Sequence, residues 1–158
     1  MHQEQLFVSK KSRYKEQLEE AIPLVRQMDI SVADVSTEKT SIDAPLASHF
    51  NYEGTAFGGS LSTVAIISCY LHLHNYLKEN NYQVQTQVIQ DANTKYLIPV
   101  TSDFRSCASF FSGEELEKFK KMLSKKKIGR VKLCAAITTK SSSEKLVLFT
   151  GSFVVKTF

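Results

Sequence analysis

Asn51, Gly54, Phe57, Gly58, Gly59 and Ser60 run directly into the apolar segment 61–77. That junction of a glycine turn with a helix start is where this chain could do chemistry. The first amides of a helix have no intrahelical acceptor, so they can hold a developing negative charge. Gly58 and Gly59 place no side chain in front of those amides, and a carbonyl group could lie against the peptide plane. The chemistry this favours is attack on an acyl group through an oxyanion. One preorganised donor contributes about 3 to 4 kcal/mol in that role.

Other side chains near the turn could serve the same reaction. The Asn51 amide can donate to a carbonyl oxygen and accept from a water without titrating; it could equally bond to its own loop. His49 could act as a general base near neutral pH. Ser60, Ser62 and Thr63 could position water, although capping of free amides is the stronger reading for Ser60. No acid lies between Glu53 and Glu79, which leaves Asp91 as the nearest carboxylate, with Lys95 as an alternative ion-pair partner for it. Cys69 sits among apolar residues and reads as an inert buried thiol. His72 and His74 fall on different helix faces and cannot share a metal. Cys69, Cys107 and Cys134 are too far apart for a metal cluster and read as buried reduced thiols in a reducing cytoplasm.

The elements that must hold these groups can be read from spacing. Ser12 to Met28 has helical periodicity broken at Pro23, and two short strands flank the turn Ser36 to Lys39. Residues 61–77 form one long central helix, stopped at Glu79-Asn80-Asn81. Val84, Thr86, Val88, Ala92 and Tyr96 alternate with polar residues as one face of a strand. A second strand spans Phe104 to Phe110. Ser112 and Glu115 form a capping box before a short helix carrying Leu116, Phe119 and Leu123. Two further strands carry Val131 to Ile137 and Val147 to Val155. One long apolar helix followed by four closely connected strands predicts an α+β fold with an antiparallel sheet wrapped around the helix. Val64, Ala65, Ile66, Ile67, Tyr70, Leu71 and Leu73 cannot all face one sheet, so a second protomer is expected on the remaining side.

Length and charge narrow the classes. At 158 residues the chain is sized for one domain, 1–158, with a hydrophobic fraction of 42% and a charged fraction of 23%. A net charge of +4 without aromatics among the basic residues argues against nucleic acid. The cluster Lys120, Lys121, Lys125, Lys126, Lys127 and Arg130 reads first as a solvated helix end, and secondly as a docking surface for coenzyme A phosphates or an acidic carrier. The segment 61–77 is too polar to cross a membrane, and the first thirty residues lack a signal core.

The pattern Asn51, Gly54, Phe57, Gly58, Gly59 is similar to the Asn-x-x-Gly-x-x-His-Gly-Gly signature of hotdog-fold acyl-thioesterases, with Phe57 in the histidine position. GTAFGGSL at 54–61 together with KYLIPV at 95–100 resembles the YiiD C-terminal family of that superfamily, from about Ile22 to Val155, which leaves residues 1–21 outside the likeness. The resemblance implies a hotdog fold, a homodimer or dimer of dimers with shared sites, and hydrolysis of an acyl thioester on coenzyme A or an acyl carrier protein. No metal or other cofactor is implied. Joined to the residue reading, this puts the thioester carbonyl at Gly58 and Gly59, water near Asn51 and Asp91, and His49, Phe57, Ser60, Thr63, Lys95 and Tyr96 along the substrate. The chain departs from these relatives at His49, where asparagine is usual, at Tyr52, where histidine is common, and in lacking the helix carboxylate two turns past the glycines. Two other readings follow from that gap: an acyl-binding protein that does not hydrolyse, and a hydratase or dehydratase, which would need a His and acid pair.

Overall fold

A computed structural model describes residues 2–158, with side chains described from residue 11 onward. The first helix, α1 (His2–Ala21), stops just short of Pro23, which has no amide to continue it, and a single 3-10 turn (Pro23–Gln27) follows. A hairpin comes next, β1 (Ser31–Val35) and β2 (Thr40–Ala44), closed by the bond from the Ser36 amide to the Lys39 carbonyl. The long helix α2 (Gly58–Glu79) is followed by β3 (Val84–Tyr96) and β4 (Phe104–Phe110). The last elements are α3 (Gly113–Lys126), β5 (Ile128–Thr139) and β6 (Val147–Thr157). The capping box forms as its sequence requires: Ser112 Oγ accepts from the Glu115 amide at 3.2 Å.

All six strands join one antiparallel sheet in the order β1-β2-β4-β5-β6-β3. β5 from Ile128 to Thr138 and all of β6 alternate between buried positions and half-exposed or exposed ones, the signature of one face turned to a core. That core gathers Phe104, Phe149, Phe153, Leu133 and Ile137 from the sheet with Leu71, Leu73 and Leu77 from α2, all almost wholly buried. α2 packs against β2, β3, β4, β5 and β6, so the sheet curves around it as predicted. Phe119 and Leu123 of α3 close one end over Gly129, where an added Cβ would sit 2.9 Å from the Phe119 ring.

β3 corrects the sequence reading. Register shifts between Val84 and Thr86 and between Ile89 and Asp91 break its alternation. Val84, Gln87, Ile89, Ala92, Thr94 and Tyr96 pair with Thr157, Val155, Phe153, Gly151, Phe149 and Val147, the buried face of β6. Thr86, Val88, Asp91, Asn93 and Lys95 pair with the half-exposed or exposed face. Thr86 and Val88 therefore lie opposite the side assigned by simple alternation. β3 is also an edge strand, exposed along most of its length.

Candidate functional site

The loop before α2 is built by Asn51. Its Oδ1 accepts from the amides of Glu53 at 3.0 Å and Thr55 at 3.2 Å, and its Nδ2 donates to Thr55 Oγ1 at 3.1 Å. Backbone bonds from Asn51 N to Thr55 O and from Gly54 N to Asn51 O tighten the same turn, with Gly54 at φ 75° where a side chain would be strained. The Asn51 amide is thus committed to its own loop, the alternative to a direct role on substrate. The loop is anchored by Ala56 N to Val100 O at 2.8 Å and Phe57 N to His49 O at 2.7 Å. The first of these bonds explains how the KYLIPV segment supports the glycine motif.

Phe57 is the N-cap of α2, extended at φ −62° and ψ 130°, and no side chain caps the helix. The amides of Gly58, Gly59 and Ser60 consequently have no acceptor among the described residues. Ser60, expected as a cap, is the third residue inside the helix instead. Tyr96 Oη donates to the Gly58 carbonyl at 2.8 Å, and its ring lies 3.3 Å from where a Gly58 Cβ would sit. The exposed Phe57 ring occupies the Cβ position of Gly59, with Cε1 2.5 Å from it. Between the turn and the strand end is an open cavity of about 290 Å³ lined by Ala56, Gly58, Leu61, Tyr96, Ile98 and Val100. Of the three residues with free amides, Gly58 lines this cavity, beside the apolar side chains of Leu61, Ile98 and Val100.

Several predicted residues lie elsewhere. His49 is 4% exposed, its Nε2 donates to the Met28 carbonyl at 2.7 Å, and its ring packs edge-on against Phe104. It fastens the loop to the core and is not placed to act as a base. Asp91 and Lys95 share the sheet face opposite that of Tyr96, so neither is brought to the glycine turn. Thr63 stands one turn from Gly59 and donates to its carbonyl at 2.8 Å. One contact was missed: Ser62 Oγ lies 2.8 Å from Thr94 Oγ1, next to the Gly58 and Tyr96 pair. Counting two residues back from Tyr96 would have placed Thr94 on the same strand face.

The remaining reactive side chains are structural. Cys69 is fully buried, and burial raises its thiol well above the ordinary range; Cys107 and Cys134 are only partly buried, against expectation. His72 is buried beside Phe110, within 3.1 Å of Thr40 Oγ1, and burial lowers it to about 4. His74 stacks on Tyr70, and burial lowers it as well. No cluster able to hold a metal ion occurs among the described residues, and no described helix is long and apolar enough to cross a membrane. In the basic cluster, Lys120 pairs with Glu117 at 2.6 Å.

The profile of a family described as "Putative thioesterase (yiiD_Cterm)" matches residues 11–157. The match begins within α1, earlier than the start near Ile22 read from the sequence. Among solved structures, a protein of unknown function from Chlorobaculum tepidum TLS superposes with a TM-score of 0.83 at 26% identity, over 92% of this chain and 93% of its own. A "putative thioesterase" from Shewanella oneidensis gives 0.78 at 23% identity, over 90% and 94%. The shared fold is that of the hotdog thioesterases. A search of curated protein sequences finds no match.

Proposed function

The chain belongs to that thioesterase family, and from this membership and the glycine-turn geometry we propose that it hydrolyses an acyl thioester carried by coenzyme A or an acyl carrier protein. The observation that carries the proposal is the uncapped start of α2 beside an apolar cavity. The thioester oxygen accepts from the Gly58 and Gly59 amides, and the acyl chain leaves along the wall of Leu61, Tyr96 and Ile98. Phosphopantetheine enters as part of the substrate, and no other cofactor is required by this scheme.

The active unit is a homodimer in this reading. Ser62, Ile66, Tyr70 and His74 form a half-exposed stripe along α2, and it runs beside the unpaired edge of β3, where Val88 is 50% and Ile89 37% exposed. A long exposed edge with apolar side chains is a surface proteins ordinarily cover. A second copy covers both features at once and shields the glycine turn from bulk water.

One observation favours a second reading. No acid lies between Glu53 and Glu79, and Asp91 faces the other side of the sheet. A protein that holds an acyl thioester without cleaving it fits those facts. Thiol release from a panel of acyl-coenzyme A esters decides between them: turnover supports hydrolysis, and saturable binding without release supports the second reading.

A further inference from the structure

We infer that Thr94, paired with Ser62, positions the attacking water and relays its proton, taking the place of the missing carboxylate; this rests on the reading that the glycine turn binds a thioester carbonyl. Ser62 is one helical turn beyond Gly58, about 6 Å along the axis, and Thr94 is two residues before Tyr96 on the same strand face, about 7 Å away. Because Tyr96 Oη is bonded to the Gly58 carbonyl, the Ser62 and Thr94 pair is the next polar contact along the seam between α2 and β3.

The pair is open where its counterpart is sealed. Ser68 and Ser106 make a similar contact at 2.8 Å between α2 and β4, but both are fully buried. Ser62 and Thr94 are half-exposed in the single chain, at the end of the α2 stripe next to the glycine turn. Two other polar groups near the turn are spent, Asn51 on its loop and Thr63 on the Gly59 carbonyl, while Ser60 on α2 has no partner from the strand.

Two hydroxyls hold two protons. One proton forms the bond between them, and the other remains free to donate, with lone pairs left to accept from water. As the water oxygen bonds to the thioester carbon, its proton passes to the pair. The pair's free proton goes to sulfur as the C–S bond breaks. The products are carboxylic acid and thiol, and the pair ends with the protons it began with. No oxidant, metal or titrating base enters the step.

The test uses the full chain with acyl-coenzyme A esters and a thiol-release assay. Thr94→Val keeps the shape and removes the hydroxyl, whereas Thr94→Ser keeps the hydroxyl. The expected result is a fall in kcat on the order of a hundredfold for Thr94→Val with KM unchanged, and near-normal kcat for Thr94→Ser. Ser62→Ala should show the same loss, and the double variant should be no worse than either single one. If Thr94→Val does not fold, Ser62→Ala carries the test alone. Unimpaired turnover in folded Thr94→Val overturns this role and leaves the thioesterase reading intact. Absence of thiol release by the wild-type chain overturns both.

Discussion

Tyr96 Oη and the Gly58 carbonyl, 2.8 Å apart, tie the end of β3 to the first residue of α2. The bond fixes the helix start relative to the strand that forms the opposite wall of the cavity. Tyr96→Phe keeps the ring against Gly58 and loses only the hydroxyl. The net worth of one such bond is about 0.5–1.5 kcal/mol, which for a chain of this size lowers the melting temperature by about 1–6 °C. Calorimetry checks the stability, and hydrogen exchange should show faster exchange at Leu61 and Ser62, the first amides of α2 held by helical bonds.

Asn51 acts on the loop through three accepted bonds, from the Glu53 and Thr55 amides and Thr55 Oγ1, and one donated bond. Asn51→Asp retains the acceptor oxygen for the Glu53 and Thr55 amides, whereas Asn51→Ala leaves them unpaired. The expected cost is about 1–2 kcal/mol for Ala and clearly less for Asp. Urea unfolding of the two variants measures the difference. Equal stability of Asn51→Ala and wild type would show that these bonds do not hold the turn.

Protonating His72 should destabilise the fold. It sits at about 4 in the folded chain because burial disfavours its charge, against 6.5 for the ordinary group. Between those values the unfolded chain takes up a proton that the folded chain does not. Stability therefore rises with pH across this window and is lost as pH falls from 6.5 towards 4, by about 3 kcal/mol in total. His72→Gln keeps a polar partner for Thr40 and cannot titrate. The gap between the two stability curves should close below pH 5; parallel curves would contradict the buried neutral imidazole.

Dimer formation is expected to depend on the open stripe of α2. Ile66→Lys places a charge on that stripe, where the side chain is partly buried against the edge of the core. Sedimentation of the wild-type chain should give a dimer, and of Ile66→Lys a monomer with thiol release reduced at least tenfold. A wild-type monomer that turns over at full rate would sink the shared-site reading.

The sequence announced the features set by local chemistry. Glycines before an apolar run marked the start of α2, Ser112 and Glu115 marked α3, and Pro23 marked the end of α1, because each acts within a few residues of itself. The face of β3 was read wrongly because two bulges shift the register, and a bulge is decided by the partner strand. His49 looked like a loop base because nothing nearby in sequence shows that Met28 and Phe104 enclose it. Asp91 looked available for the same reason: which sheet face it takes is fixed by pairing with Ser152, 61 positions away. Thr94 was overlooked because a hydroxyl in a strand has no pattern of its own and acquires one only opposite Ser62.

The amide of Gly58 can be removed without disturbing the helix. Proline is well tolerated at the first helical position, and Phe57 at φ −62° and ψ 130° already has the conformation that a residue before proline adopts. Gly58→Ala is the control, since it adds a Cβ near Tyr96 and keeps the N–H. Thiol release from an acyl-coenzyme A ester by folded Gly58→Pro and Gly58→Ala is the deciding measurement. The predicted result is a loss of about a hundredfold to a thousandfold in kcat for proline relative to alanine. Equal rates in the two variants would contradict an oxyanion held by this helix start.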